Sequence, residues 1–290
     1  AKSIADKYIR PDHGTTDMAL IFLPSETLYF EIIRNGKLFE DLSKLKVFPV
    51  SPNTLAIALK SVSIAQDYYN MAKYFAKGMN VPHYDADSGT YFDDGMRTPG
   101  YPVLMAPFIA SNSLWLFFLI QILASSTIPI LGYFLSLRMF PLNKKLAYGI
   151  GIILALEPQS ILLSTQLVTE TFFTILFLIT LGKLFDYEER GPTSLWSLVW
   201  LGLFIGLATL FRPIGMYLPY VFLILALRKK ITKNLSWRTF IIQALIVIGV
   251  FYITILPWIY RNYKTYGVWN YTSIRSGLGV VVWAPSIIAL

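Results

Sequence analysis

Three arginines, together with Glu157 and Glu170, interrupt or border the apolar runs of the chain. Arg212 stands in TLFRPIGMYLP, Arg261 in LPWIYRNYKTYG and Arg97 directly before TPGYP, while Glu170 opens ETFFTILFL. An ionisable side chain in hydrocarbon costs about 2.5–3.5 kcal/mol, so such residues usually face a cavity and have a function. The guanidinium fork matches a pair of phosphate oxygens. These residues therefore predict a phosphate site at a membrane surface, with interfacial charges that reach out to water as the alternative.

The composition predicts an integral membrane protein. Of the 290 residues, 55% are hydrophobic and only 14% are charged, which departs in both respects from a soluble domain. The charges are unevenly divided: residues 1–96 hold 12 acids and 10 bases (net −2), and the later residues hold 5 acids and 15 bases (net +10). The absence of cysteine excludes a disulfide framework and a thiolate metal site.

The later part of the chain contains about six apolar runs. They lie at about 112–137, 146–163, 167–185, 194–211, 213–227 and 239–260. A membrane-spanning helix needs about 20 residues, which the first and last runs reach comfortably. The others are short or broken by Pro158 or Pro213, and such breaks favour half-helices beside a cavity.

Most of the later basic residues predict an orientation. Ten of them form three clusters at alternate ends of the runs, within residues 138–145, 183–190 and 228–238. By the positive-inside rule these clusters are cytoplasmic, so we predict no nucleic-acid binding by residues 67–290. The opposite ends then face outward together, with Arg97, Glu170, Arg212 and Arg261 among them.

The first sixty residues differ in kind, because none of their apolar stretches approaches the length of a membrane span. Residues 18–24 and 46–50 are strand-like, and 51–61 predict a short helix with Ser51 or Asn53 as its N-cap. The predicted fold is mainly α, a polytopic transmembrane helix bundle preceded by a small soluble α/β fragment. The predicted domains are 1–62 (the fragment), 63–111 (an external loop) and 112–290 (the bundle).

Five segments in order carry a family resemblance over about residues 67–290. DYYNMAKYFAKG, RTPGYPVLMAPF, LVTETFFTILFL, LATLFRPIGMYLPYVFL and ILPWIYRNYKTYGVWNYTSIRSG resemble GT-C glycosyltransferases of the protein mannosyltransferase and lipid A aminoarabinose transferase type. The resemblance implies a multi-pass enzyme of the bacterial inner (plasma) membrane. Such an enzyme transfers a sugar, with inversion, from a polyprenyl-phosphate donor to a lipid, protein or glycan acceptor on the periplasmic or extracellular face.

The resemblance also implies roles for individual residues. Asp67 matches the catalytic aspartate of the first external loop, which takes the acceptor proton or orients the acceptor. Arg97, Arg212 and Arg261 are the expected donor-phosphate ligands, and Glu170 and Tyr101 are expected to bind or orient the acceptor. The span that should precede Asp67 is absent and the match covers about the first half of such an enzyme. We therefore expect a fragment truncated at its C-terminus and inactive by itself.

Residues 1–62 resemble a different family. KYIRPDHGTTDMALIFLPSETLYFEIIRNG followed by VFPVSPNTLAIALKS is similar to the late core of the DNA recombination protein RmuC family. This implies a piece of a restriction-nuclease-like core, with DNA as the partner of a complete domain and with no catalytic residue in the piece itself. A soluble cytoplasmic domain cannot join an outer-face segment without a membrane crossing, and residues 1–110 contain no span. Either the first part also lies outside or the chain is a fusion or assembly artefact, and we favour the latter.

Two alternative functions stay open at this point, and one is an RmuC-like DNA recombination or nuclease-related protein fused to a membrane segment. A non-enzymatic, transporter-like membrane protein is the competing class, because buried arginines and broken helices also build anion pathways. No cofactor is predicted with certainty. DADSG (85–89) begins like a calcium loop, but Met96 replaces the glutamate at its twelfth position. Asp93 and Asp94 leave a divalent metal open.

Overall fold

The chain forms two compact, mostly helical units, Ala1–Gln66 and Asp67–Leu290. The computed structural model describes residues 2–10, 12, 17–78, 82–85, 90–93, 98–192, 194–233, 236–266, 269 and 271.

The first unit is a small α/β structure. Strands β1 (Ala19–Phe22) and β2 (Val47–Val50) pair in parallel, with Ala19 opposite Val47 and Phe22 opposite Val50. Parallel strands need a crossover connection, and helices α2 and α3 supply it. The two predicted strands are confirmed. The helices of this unit are α1 (Lys2–Tyr8), α2 (Glu26–Arg34), α3 (Gly36–Lys44) and the start of α4 (Pro52–Ala76).

Helix α4 is much longer than the predicted short helix. The Ser51 hydroxyl oxygen accepts a hydrogen bond from the backbone N–H of Thr54 at 3.2 Å, which makes Ser51 the N-cap. The helix then continues for 25 residues, because neither glycine nor a further proline occurs until Gly78, which adopts a φ of 66° suited to a helix end. Asp67 consequently lies on a helix, and the N-terminal part of the predicted external loop is helical.

The second unit is a helix bundle with one hairpin, formed by β3 (Pro82–Asp85) and β4 (Thr90–Asp93). Pro158 and Pro213 break the helical runs as predicted, each following a non-helical residue. The helices are α5 (Gly100–Ala110), α6 (Leu114–Ser125), α7 (Thr127–Met139), α8 (Lys144–Leu156), α9 (Pro158–Leu163), α10 (Glu170–Arg190), α11 (Leu195–Phe211), α12 (Leu218–Thr232) and α13 (Trp237–Tyr266), with a short 3-10 helix at Pro213–Tyr217.

Within the part of the chain that the structure describes, two helical segments are long and apolar enough to cross a membrane. They are Leu114–Met139, which joins α6 and α7 through a turn at Ser126, and Trp237–Lys264 within α13. They correspond to the predicted runs 112–137 and 239–260. The helices of the other four runs are shorter, interrupted or more polar, so six crossings stay a prediction. Large apolar side chains on the bundle helices are exposed, among them Ile153, Leu156, Trp196, Ile224, Leu245 and Ile253.

Helices α11 and α13 pack closely through two glycines. A Cβ at Gly202 would lie 2.6 Å from the carbonyl oxygen of Val247, and one at Gly206 would lie 2.6 Å from Thr254 Cβ. Small residues spaced by four allow such close approach between apolar helices. Because both contacts advance in the same direction, the two helices run parallel. Their C-terminal ends, which lead to Arg212 and Arg261, therefore lie at the same end of the bundle.

Candidate functional site

The centre of the candidate site is an ion pair at the C-terminal end of α11. Arg212 ends this helix, and its Nη1 lies 3.0 Å from Oε1 of Glu170, the first residue of α10. The guanidinium carbon is 5.7 Å from the centre of the Phe173 ring. The two charged side chains are 41% and 33% exposed, so the pair is accessible from outside the bundle.

The TPGY segment docks onto the same end of α11. Thr98 donates its hydroxyl to the backbone carbonyl of Phe211 at 2.7 Å, which satisfies an acceptor that the helix leaves unpaired. A Cβ on Gly100 would lie 2.7 Å from the carbonyl oxygen of Leu210. Glycine is thus required here by close backbone approach. Arg97, the neighbour of Thr98, lies outside the residues that the structure describes.

Tyr101 is buried beside this turn. Its hydroxyl donates to Gln121 Oε1 at 2.7 Å, and its ring centre is 5.4 Å from that of Tyr68 and 6.2 Å from that of Phe172. Phe172 belongs to the first turn of α10, next to Glu170. Asp67 directly precedes Tyr68 on α4 and is partly buried, so the Tyr68–Tyr101 contact connects its helix to the same cluster.

Arg261 is held near the end of α13. Its Nη1 donates to Asn262 Oδ1 at 3.1 Å, and its guanidinium carbon lies 4.8 Å from the centre of the Trp258 ring. Asn262 and Trp258 both donate to the backbone carbonyl of Tyr271 at 3.1 Å. The hydroxyl of Tyr271 in turn donates to the carbonyl of Thr209 on α11. A continuous hydrogen-bonded chain therefore links the surroundings of Arg261 to the last turn of α11.

A second group of charged residues lies at the other ends of these helices. Arg138 Nη1 is 3.0 Å from Asp186 Oδ2, and Arg228 Nη1 is 2.6 Å from Glu188 Oε1. Lys229 donates to the backbone carbonyls of Tyr187 and Glu188. The C-terminal ends of α7, α10 and α12 thus meet among bases that the sequence predicts to be cytoplasmic.

The arrangement brings together most of the predicted site residues. Glu170 and Arg212 are in direct contact, Arg261 shares their end of the bundle, and Tyr101 packs beside them. Two arginines against one glutamate leave a net positive charge, which suits a phosphate. Among the residues described, no three His, Asp or Glu side chains are placed to share a metal ion. Asp94 and the loop at 86–89 lie outside those residues, and the side chain of Asp93 is not described.

Four further residues of this region did not emerge from the sequence. Gln121 and Thr98 hold the TPGY turn, and Asn262 and Tyr271 connect α13 to α11. Gln121 carries a visible signal, because it is the lone amide in the apolar stretch LWLFFLIQILAS. The partners of Thr98 and Tyr271 are distant in sequence, and Asn262 donates to a backbone carbonyl, so no local pattern indicates these three residues.

Two family models match different parts of the chain. Residues 98–260 match the family described as dolichyl-phosphate-mannose-protein mannosyltransferase, and residues 1–77 match the RmuC family. Curated relatives of the first part include the DNA recombination protein RmuC homologs of two Xylella fastidiosa strains, Temecula1 and 9a5c. Each is 46% identical over 65 residues, which cover 22% of this chain and 14% of the relative. No solved structure matches the chain.

Proposed function

The chain belongs to the dolichyl-phosphate-mannose-protein mannosyltransferase family, and we propose that residues 67–290 form part of a membrane glycosyltransferase. This enzyme uses a polyprenyl-phosphate-linked sugar donor. The observation that carries this proposal is the Glu170–Arg212 pair, 3.0 Å apart, at the end of an apolar bundle that Arg261 shares. A lipid-linked phosphate would bring its isoprenoid chain alongside the exposed apolar helix faces and its charge to the two arginines.

The proposed reaction is a single displacement with inversion. An acceptor oxygen attacks the anomeric carbon, the bond from that carbon to the donor phosphate oxygen breaks, and the bonding electrons stay on the lipid phosphate. The acceptor proton passes to the carboxylate of Asp67, the proposed base. Arg212 and Arg261, with Arg97 as a third candidate, stabilise the charge that the phosphate gains in the transition state.

Glu170 and Tyr101 are proposed to orient the site. Glu170 holds the Arg212 guanidinium through one nitrogen, which fixes the direction of the fork. The hydroxyl of Tyr101 is engaged by Gln121, which favours an orienting role for Tyr101 over direct contact with the acceptor. The identity of the sugar and of the acceptor does not follow from these residues.

The proposed location is the bacterial inner membrane, crossed several times, with the site on the periplasmic or extracellular face. The basic clusters around Arg138, Lys183 and Arg228 lie at the helix ends opposite Arg212, which supports this orientation through the positive-inside rule. The exposed apolar side chains between the two ends support a lipid-facing surface.

Residues 1–77 support a second, separate proposal. Their match to the RmuC family favours DNA as the partner of a complete domain of that type. The chain spans 14% of the length of the RmuC homologs it matches, so we propose this role for such a domain and not for the piece by itself.

The test of donor recognition is binding of polyprenyl phosphate to the purified chain in lipid nanodiscs. Arg212→Gln should weaken binding by about tenfold or more, because a hydrogen bond to a charged group contributes about 1.5–3 kcal/mol. Arg228→Gln is the matched control, since Arg228 forms the equivalent pair with Glu188 at the opposite end. Equal affinities of Arg212→Gln and wild type would overturn the assignment. Binding that depends on Arg228 instead would move the anion site to the other end and favour the transporter class.

A further inference from the structure

Gln121 is the most deeply buried polar side chain in the first membrane-spanning segment. It lies within α6 and is 0% exposed, although its neighbours in LWLFFLIQILAS are otherwise almost all apolar. An amide removed from water destabilises a structure unless its hydrogen bonds are remade. The surroundings of Gln121 must therefore supply several partners.

The amide of Gln121 uses both of its ends. Its Oε1 accepts the hydroxyl of Tyr101 at 2.7 Å. Its Nε2 donates to the backbone carbonyls of Ser164 at 2.9 Å and Gln166 at 2.7 Å, with a longer contact to Leu163 at 3.4 Å. One side chain thus connects α5, α6 and the non-helical segment that follows α9.

This segment, residues 164–169, is the one that leads into Glu170. The carbonyls of Ser164 and Gln166 in this segment lie outside a helix, and in an apolar environment such groups need other donors. The hydroxyls of Ser164 and Thr165 donate to the carbonyls of Ile161 and Leu162 in the last turn of α9. The Gln121 amide donates to carbonyls that follow these two in the chain. The path of the backbone into α10 consequently depends on this amide.

We propose that Gln121 is a positioning residue for the donor-phosphate site, an inference that rests on the proposed function. By fixing residues 164–169 it sets where α10 begins, and therefore where Glu170 holds Arg212. By accepting the Tyr101 hydroxyl it fixes a ring that packs against Phe172, the second residue after Glu170. Gln121 itself does not touch the donor.

The test uses the absence of native cysteine to place one thiol reporter at Val168→Cys, a buried position of the segment. In that background Gln121→Leu removes every hydrogen bond of the amide at similar volume. Maleimide labelling of the thiol should accelerate by about threefold or more as the segment loosens. Binding of polyprenyl phosphate should weaken by about tenfold.

Ser136→Ala is the matched control, because Ser136 is also a buried polar residue of the same spanning segment but bonds only the carbonyl of Gly132 in its own helix. Ser136→Ala should change neither the rate of maleimide labelling nor the affinity for polyprenyl phosphate. A second reporter, Leu142→Cys in the fully exposed α7–α8 turn, should label at the same rate with and without Gln121→Leu. This result would exclude general unfolding as the cause.

Unchanged labelling and unchanged binding in Gln121→Leu would overturn the inference, as would loosening without weaker binding. If Gln121→Leu does not fold, the labelling rate and the affinity for polyprenyl phosphate are measured in Gln121→Glu instead. A neutral glutamic acid keeps an acceptor for Tyr101 but has one hydrogen-bond donor instead of two. Intermediate changes in both readings would support the inference, and wild-type values would refute it. Failure of the wild-type chain to bind polyprenyl phosphate would instead refute the proposed function, and the labelling arm would still report on the segment.

Discussion

At the scale of single residues, the same charged pair occurs at both ends of α10 in two different settings. Glu170 pairs with Arg212 and Glu188 pairs with Arg228. The first pair adjoins a proline break, the buried Tyr101 and the link to α13. The second lies among lysines and arginines, where a surface ion pair contributes little to stability. The neighbourhood of the pair, and not its chemistry alone, therefore favours Arg212 over Arg228 as the proposed phosphate ligand.

The residue-scale prediction concerns Asp67, the proposed base. In membranes where the wild-type protein transfers sugar from a polyprenyl-phosphate donor, Asp67→Asn should lower the rate by about a hundredfold or more, because general-base catalysis contributes 10²–10⁴. The readout is transfer of a radiolabelled sugar at saturating donor. Asp186→Asn, which removes the partner of Arg138 at the opposite end, should leave the rate nearly unchanged. A normal rate in Asp67→Asn would exclude Asp67 as the base.

At the scale of helices and strands, prolines and glycines determine how the site is assembled. Pro158 and Pro213 follow breaks in the helices that place Glu157 and Arg212 at helix ends. Gly202 and Gly206 bring α11 and α13 into register, so that Arg212 and Arg261 share one end. In α4 no glycine or further proline occurs before Gly78, and the helix therefore continues past Asp67 to Ala76.

The prediction at this scale concerns the α11–α13 contact. Gly202→Ala should destabilise the bundle by about 1–3 kcal/mol, the usual range for overpacking, because the new Cβ would meet the backbone carbonyl of Val247 at 2.6 Å. Thermal unfolding in detergent should show a Tm lower by several degrees. Gly249→Ala is the control, since nothing lies within 4 Å of its added Cβ, and its Tm should not fall. Equal losses in both variants would show that close packing at Gly202 is unimportant.

Local patterns predicted the parts of the fold that local forces determine. The two strand-like runs, the proline breaks and the choice of Ser51 or Asn53 as N-cap could all be inferred from the sequence. The charged residues of the candidate site could also be identified from the sequence, because a charge in an apolar run is conspicuous. The contacts of Gln121 with residues 163–166 and of Tyr271 with Thr209 could not, since they join positions more than forty residues apart. The extent of α4 was underestimated although its glycine-free stretch was visible.

At the scale of the whole molecule, the bundle has two chemically different ends. One carries Glu170, Arg212 and Arg261 beside the TPGY turn, and the other carries the basic clusters that meet at the C-terminal end of α10. A lipid-linked phosphate and an anionic membrane surface both attract arginine and lysine, so charge alone does not distinguish the two ends. The position at which polyprenyl phosphate binds distinguishes the two ends.

The most direct test is photo-cross-linking with a polyprenyl phosphate that carries a diazirine on the isoprene unit next to the phosphate. Peptides from the chain in nanodiscs are then identified by mass spectrometry. Cross-links should fall within residues 209–217 and 258–264 and should disappear with excess unmodified polyprenyl phosphate but not with polyprenol. Cross-links confined to 138–145 and 228–238, or insensitive to the competitor, would contradict a donor-phosphate site at Arg212 and Arg261.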